Sequence, residues 1–154
     1  MMHSLRLKTV ITHPSSRIAA WGLRLTLAAG FLSAVADRFG IWGKPGATGV
    51  AWGDWVHFLI YTEKLNWFLP HLLIAPMGEL ATFLETFLAL GLLVGICPRF
   101  FAFASAGLLL LFALSMTLAL GIKAPLNYSV YTAAAAAVLL GTIYTEKKPP
   151  QKKS

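Results

Sequence analysis

Three ionisable residues, Arg24, Glu79 and Glu85, lie inside otherwise apolar segments of this chain. A charge in an apolar layer is costly unless it is paired or hydrated, so such residues usually face a protein interior and mark ligand sites or proton relays. Because a helix rises about 1.5 Å per residue, Arg24 and Glu85 are near enough in depth for the arginine side chain to reach the carboxylate. An Arg24–Glu85 pair is therefore compatible with the sequence, either as a polar contact that holds two helices together or as part of a binding site.

Further polar residues are expected at the same end of the helices as Glu79. Asn127, Tyr128 and Tyr131 lie at the start of the fourth apolar segment, on the same side of the membrane as Glu79. The halves of the last three segments on the other side are nearly free of polar groups. This asymmetry predicts a small polar cavity lined by Arg24, Glu79, Glu85, Asn127, Tyr128 and Tyr131. Trp55 and His57, in the loop after the first segment, are candidates for a lid over that cavity. The alternative, which we favour, is that this loop only anchors the protein at the membrane surface.

The sequence offers little for binding a metal. It has one cysteine, Cys97, and no two of its four histidines have the spacing of metal ligands on a helix. We therefore expect no metal site, no haem and no covalently bound cofactor. A phosphate loop, a nucleophile elbow and a nucleotide-binding fingerprint are likewise absent from the sequence.

The elements that position these residues follow from an apolar composition. Of the 154 residues, 57% are hydrophobic and 12% are charged, against roughly 45–50% and about 25% in soluble domains. Four segments, at about 17–39, 74–96, 100–120 and 125–144, are each long enough to cross about 30 Å of hydrocarbon as a helix. We predict one domain over residues 17–144: an all-α, integral membrane four-helix bundle. An amphipathic helix at about 52–67 is expected in the interface or capping the bundle.

The basic residues predict an orientation. Residues 1–16 form a polar, basic lead-in and residues 145–154 a basic tail, and eight Lys and Arg residues lie on that side of the predicted bundle against four on the other. Both termini are therefore expected on the cytoplasmic side of a prokaryotic inner membrane. Because lysines of this +7 chain crowd the tail, we expect membrane lipids as partners and no nucleic acid. Residues 25–36 also imitate a signal peptide, but Arg24 interrupts the apolar region and we expect no cleavage.

A family resemblance rests on three stretches. The stretch that begins at Glu85 has a membrane glutamate, a Leu/Gly run, a short turn that carries Arg99, and then a helix of small residues. An arginine followed by a glycine opens the first segment (residues 23–31), and residues 118–128 form the third stretch. With these motifs the chain resembles the DoxX family over about residues 18–142.

The resemblance implies a four-helix membrane protein in which Arg24, Glu85 and Arg99 are the residues carried over. DoxX proteins are named for a subunit of a thiosulfate:quinone oxidoreductase, and some are linked to oxidative-stress complexes. The implied function is a membrane subunit of a redox system that receives a quinone in the polar cavity. Such a subunit is not catalytic alone, because a partner protein must supply the electron carrier. Two alternatives stay open: a non-catalytic scaffold or assembly factor, and a small-solute or proton pathway, which needs a homo-oligomer to enclose a pore.

Overall fold

A computed structural model of the chain describes residues 14–145, with side chains described for residues 16–144. Within these bounds the chain is helical and contains no strand, which confirms the predicted all-α class. The helices are α1 (Pro14–Arg38), α2 (Trp55–Leu65), α3 (Ile74–Val94), α4 (Pro98–Leu120), α5 (Lys123–Asn127) and α6 (Val130–Thr145), and a 3-10 turn (His71–Leu73) leads into α3. Most of the predicted basic lead-in and tail lies outside the described residues.

Three helical stretches are long and apolar enough to cross a membrane: Ser16–Arg38, His71–Val94 and Pro98–Leu120, with mean hydropathies of 1.6, 1.6 and 2.1. They agree with the first three predicted segments to within a few residues. The second ends early because Gly95 adopts a left-handed conformation, with φ 79°, that closes α3. The third starts early because proline is well suited to the first turn of a helix, where its missing N–H is not needed.

The fourth predicted segment, 125–144, is not a single helix. Tyr128 and Ser129 interrupt the helical path between α5 and α6, and Ser129 has a positive φ of 54°. α6 has 16 residues, so at about 1.5 Å per residue it is shorter than the hydrocarbon core of about 30 Å. The predicted bundle of four membrane-crossing helices is therefore not confirmed, whereas three candidate crossings are.

The helices pack as two antiparallel pairs, α1 against α3 and α4 against α6. Arg24, in the first half of α1, bonds to Leu92 near the end of α3, and the ring of Phe103, near the start of α4, packs on Gly141 near the end of α6. The core between them consists of small and aliphatic side chains with one phenylalanine: Ala28, Phe31, Leu88, Ala89, Leu92, Ala102, Ala106, Ala137 and Leu140. Small residues at the contacts let the helix backbones approach closely.

The outer surface of the long helices is apolar. On α3, Leu80, Phe83 and Leu90 are 52%, 64% and 52% exposed, and on α4 Leu111 and Leu118 are 62% and 81% exposed. Water-soluble monomers rarely expose a large contiguous apolar surface. Together with the three long apolar helices, this surface indicates a membrane protein whose helices face lipid.

The helix predicted in the loop after the first segment is present as α2, which packs on both α3 and α4. Asp54 caps its start by accepting a hydrogen bond from the backbone N–H of His57 at 2.8 Å, and this bond is the main cause that lowers the pKa of the Asp54 carboxyl. Phe58 is buried, whereas Val56 and Ile60 are exposed. α2 therefore buries one face against the end of the bundle and leaves its apolar opposite face uncovered.

Candidate functional site

The charges most removed from water in the described part of the chain are those of Arg38, at the end of α1, and Glu85, in α3. Arg38 Nη2 lies 2.7 Å from Glu85 Oε1 and 2.6 Å from Oε2, and each side chain is 3% exposed. The other two salt bridges among the described residues involve histidines and are largely exposed. The attraction within a buried pair is strong because the surrounding dielectric is low, but desolvation of both charges opposes it. Burying the pair costs solvation free energy, and for this reason we take it as the candidate functional site.

Thr82 supplies a second partner for the guanidinium from the same helix. Its Oγ1 accepts a hydrogen bond from Arg38 Nη1 at 2.6 Å and donates one to the backbone carbonyl of Gly78 at 2.8 Å. A spacing of three residues places Thr82 and Glu85 on one face of α3. The planar guanidinium is thus held at both of its terminal nitrogens, which fixes its orientation.

Two aromatic rings cover this guanidinium. Its Cζ lies 4.0 Å from the ring centroid of Phe58, on α2, and 5.4 Å from that of Trp52, in the preceding loop, within the range of a cation–π interaction. Asp37 ties that loop to the last turn of α1, because its Oδ2 accepts hydrogen bonds from the backbone N–H groups of Ala51 and Trp52 at 2.9 and 3.0 Å. The loop and α2 are therefore anchored against the ion pair.

Three polar atoms of this cluster have no hydrogen-bond partner among the described residues: Arg38 Nε, Glu85 Oε2 and Asp37 Oδ1. Oε2 keeps its electrostatic contact with Nη2, but only Oε1 has hydrogen-bond geometry. Buried polar atoms are nearly always paired in folded proteins. Arg38 Nε and Asp37 Oδ1 are therefore the unpaired donor and acceptor of this cluster, whereas Glu85 Oε2 is occupied by Arg38 Nη2.

The Arg24–Glu85 pair that the sequence allows is not formed, because each residue has another partner. Arg24 is buried, but its Nε and Nη2 donate to the backbone carbonyls of Leu92 and Leu93, at 2.6 and 3.1 Å, in the last turn of α3. Glu85 lies about two helical turns from there, roughly 10 Å along α3. The partner of Glu85 is Arg38, whose place at the end of the first apolar segment is typical of a loop charge.

The other residues of the predicted polar cavity have different surroundings. Glu79 is exposed on α3, and Asn127 and Tyr128 are exposed beside the break between α5 and α6. Tyr131 is half-buried, and its hydroxyl lies 2.9 Å from Thr117 Oγ1, which joins α6 to α4. Among the described contacts, none joins these four residues to Glu85.

Trp55 and His57, the predicted lid, lie on the first turn of α2. The ring of Trp55 stacks on Phe39 and contacts Phe58, at centroid distances of 6.0 and 5.3 Å, while His57 is largely exposed. The ring over the guanidinium is that of Phe58, with Trp52 beside it. The signal for Phe58 was present in the sequence, because a helix at 55–65 that buries one face must direct an apolar residue of its first turn inward.

Two clefts lie at the opposite end of the bundle. Their volumes are about 200 and 620 Å³, and Arg24 and Tyr144 line both clefts. Arg17 and Trp21 contribute to the first, and Arg99 contributes to the second. Neither cleft is lined by the ion pair, so the pair and the clefts are separate features.

Metal binding is not indicated in residues 14–145, where no group of three or more His, Cys, Asp or Glu side chains could hold an ion. Glu85, the most buried carboxylate, is engaged by Arg38, with which a cation would have to compete. Cys97 is exposed, at the residue that precedes α4. The site is therefore formed by the guanidinium of Arg38 and the carboxylate of Glu85.

Comparison of the chain with protein-family models, with curated proteins and with solved structures finds no match. The DoxX resemblance therefore rests on its motifs alone and stays a prediction. Of the residues that it carries over, Glu85 belongs to the ion pair, Arg24 binds the end of α3, and Arg99 is exposed on the first turn of α4. The ion pair and its aromatic cover are the observations on which a function can be built.

Proposed function

We propose that this chain is an integral membrane protein that serves, without an electron carrier of its own, as a membrane subunit of a quinone-linked redox system. The observation that carries the proposal is the Arg38–Glu85 pair, two opposite charges 2.6 Å apart and 3% exposed in an apolar bundle. Ionisable residues inside membrane helices are rare, and they commonly mark ligand or proton sites. The DoxX-like motif that begins at Glu85 supports the same assignment.

In this proposal four segments cross the membrane, and the fourth consists of α5, α6 and the break between them. A crossing helix needs about 20 residues, which α5 and α6 reach only together. The break keeps its backbone hydrogen bonds, since the N–H groups of Tyr128 and Ser129 donate to the carbonyls of Ala124 and Leu126 at 3.3 and 3.0 Å. Satisfied backbone groups are what allow an interrupted helix at membrane depth.

Both termini lie on the cytoplasmic side of a prokaryotic inner membrane in this proposal. Eight basic residues were assigned to that side and four to the other. One of those four, Arg38, is buried and paired with Glu85, so it contributes little loop charge. The remaining excess of Lys and Arg on the side of the termini supports the cytoplasmic placement of both termini.

The site offers the groups that a quinone head group needs. Arg38 Nε is a spare donor that can bond to a quinone carbonyl oxygen. A quinol hydroxyl can donate a hydrogen bond to the Glu85 carboxylate, whose Oε2 contacts Arg38 Nη2 without hydrogen-bond geometry. Trp52, which is half-buried beside the guanidinium, is an aromatic ring against which a planar head group can pack.

The electrons must come from a partner protein. A single cysteine cannot hold an iron–sulfur cluster within one chain, and the sequence has no dinucleotide fingerprint for a flavin. The partner therefore supplies the flavin, haem or metal, and this chain supplies the quinone site in the membrane.

Quinone binding tests the proposal directly. The protein in phosphatidylcholine nanodiscs is titrated with a short-chain ubiquinone and a short-chain menaquinone while tryptophan emission is recorded. We expect saturable quenching by one of them, because Trp52 lies beside the guanidinium, and Trp52→Phe should remove that component. Glu85→Gln should weaken binding about tenfold or more, the effect of losing one hydrogen bond to a charged group.

Glu79→Gln is the matched control, since Glu79 is an exposed carboxyl on the same helix. It should leave the binding curve unchanged. Quenching that does not saturate, or that is the same in Glu85→Gln as in the wild type, would contradict the proposal.

A non-catalytic scaffold is the second candidate, and one observation favours it. The terminal nitrogens of Arg38 are already engaged by Thr82 and Glu85, a ring covers its face, and neither cleft reaches it. If the pair only holds α1 and α3 together, Glu85→Gln lowers the unfolding temperature while the wild type binds no quinone. Thermal unfolding of the same variants beside the titration separates the two functions.

A further inference from the structure

Arg24 is a buried cation that forms no salt bridge with a carboxylate of the described residues. Its side chain is 6% exposed, and the salt bridges of the described residues do not include it. Buried charges are normally paired, because an uncompensated charge in a low-dielectric setting is strongly destabilising. The charge of Arg24 therefore needs a further source of negative potential.

The end of α3 supplies part of that potential. Arg24 Nε and Nη2 donate to the carbonyls of Leu92 and Leu93, in the last turn of α3. A helix C-terminus is equivalent to about −0.5 of an elementary charge. The last turn of α3 therefore compensates only part of the charge of Arg24.

The guanidinium is held so that one nitrogen remains available. Its Cζ lies 4.1 Å from the ring centroid of Trp21, and it also packs on the backbone of Gly95, where an added Cβ would collide with it. With Nε and Nη2 bonded to α3, Nη1 has no hydrogen-bond partner within residues 16–144. Nη1 is a rigidly placed donor of a guanidinium that lines two clefts.

Those clefts are basic. Arg24 lines both, Arg17 lines the one of about 200 Å³, and Arg99 lines the one of about 620 Å³, while no Asp or Glu of residues 16–144 lines either. The N-terminus of α4, a 23-residue helix with no side-chain cap, also lies at the larger cleft through Pro98, and a helix N-terminus favours anions. The apolar side chains of Phe100 and Ile143 complete the lining.

We propose that these joined clefts bind a phosphate ester, with the phosphate oxygens on Arg24 Nη1 and on the side chains of Arg17 and Arg99. Two molecules carry this chemistry at a membrane: an anionic phospholipid head group and a soluble phosphate ester. Basic pockets between membrane helices bind lipid head groups, and the apolar part of the lining suits the start of an acyl chain. This site is separate from the Arg38–Glu85 pair and does not depend on the quinone proposal.

Lipid retention tests the site. The full chain in detergent micelles is given equimolar dioleoyl phosphatidylglycerol and dioleoyl phosphatidylcholine, and the bound lipid is counted by native mass spectrometry. We expect phosphatidylglycerol to be retained preferentially. The double variant Arg17→Gln/Arg99→Gln should lower its affinity about 25-fold, because each basic residue near an anionic head group contributes a factor of roughly five.

The control variant, Lys64→Gln/Lys123→Gln, removes the same charge from exposed residues outside both clefts and should retain the lipid as the wild type does. A second arm adds glycerol 3-phosphate to the lipid-loaded protein: displacement at millimolar concentration identifies a soluble phosphate ester as the ligand, and no displacement identifies the lipid. Equal retention of the two lipids with no binding of glycerol 3-phosphate would overturn the proposal. An equal loss of binding in the control variant would overturn it as well.

Discussion

At the residue scale, Arg38 and Glu85 each compensate a charge that neither could keep alone in an apolar bundle. Their side chains are 3% exposed, and the shortest distance between them is 2.6 Å. The attraction of such a pair roughly balances the loss of hydration, so its net contribution to stability is small, while the loss of one partner is costly. The pair is therefore expected to behave as a unit.

Variants of the pair test this coupling. Arg38→Met and Glu85→Leu should each lower the free energy of unfolding by about 3–5 kcal/mol, because each leaves one buried charge uncompensated. The double variant should be much less destabilised than the sum of the two, since apolar side chains of similar size replace both charges. Thermal unfolding of the four proteins in phosphatidylcholine nanodiscs measures this, and losses that simply add would show that the two side chains do not form the pair.

The sequence identified Glu85 and Arg24 as buried because each interrupts an apolar run. It did not identify Arg38, since a charge at the end of an apolar run has the pattern of a loop residue. Depth along a helix can be counted from a sequence, but the choice of partner depends on which helices touch and at what rotation. That is why the residue types of the site were predictable and the pairing was not.

At the scale of elements, α2 depends on a glycine of α3. A Cβ added at Gly78 would lie 2.8 Å from Leu59 Cδ2 and 3.1 Å from Phe58 Cε1, so the absence of a side chain lets α2 approach. The same approach brings the ring of Phe58 to 4.0 Å from the guanidinium of Arg38. The aromatic cover of the ion pair is therefore set by helix–helix contact.

Gly78→Ala should push α2 away from α3 and lower the free energy of unfolding by about 1–3 kcal/mol, the usual cost of overpacking. Acrylamide quenching of tryptophan emission should increase, because Trp52 is then less covered. Gly30→Ala is the matched control: nothing lies within 4 Å of its added Cβ, and replacing a helical glycine there should be neutral or stabilising by up to about 1 kcal/mol. Equal behaviour of the two variants would contradict the role of Gly78.

Hydropathy predicted the long helices well, because burial in lipid requires a long apolar run and little else. It missed the break at Tyr128 and Ser129, where no glycine or proline marks the change of direction. An average over about 20 residues does not respond to one residue with positive φ. The loop helix was predictable in position from its aromatic residues, and its inward apolar face was predictable from its periodicity, but its contact with Arg38 was not.

At the scale of the whole molecule, the basic clefts and the ion pair lie at opposite ends of the bundle. α1 and α3 run antiparallel, so the start of α1 and the end of α3 share one end with Arg24, and Arg38 lies towards the other. In the proposed orientation the clefts face the cytoplasm and the loop with α2 faces the outside. The single cysteine, Cys97, is exposed at the end that bears the clefts.

Thiol labelling tests this orientation. A membrane-impermeant maleimide should modify Cys97 in inverted vesicles but not in sealed right-side-out vesicles. In a Cys97→Ser background, Lys44→Cys and Lys123→Cys should show the opposite pattern, because both positions are exposed in segments assigned to the outer side. Modification of Cys97 and of Lys44→Cys from the same side would contradict the proposed crossing of α1.

If the Arg38–Glu85 pair receives a quinone, that quinone should remain bound when the protein is purified in native lipid particles. The small molecules extracted from such particles therefore test quinone binding. Mass spectrometry of the extracted particles should find about one quinone per chain in the wild type and in Glu79→Gln, and a clear loss in Glu85→Gln. The double variant Arg38→Met/Glu85→Leu, expected to fold, should also lack the quinone, which separates loss of binding from loss of structure. Bulk lipid alone in the wild type, or a quinone retained by the double variant, would contradict the claim.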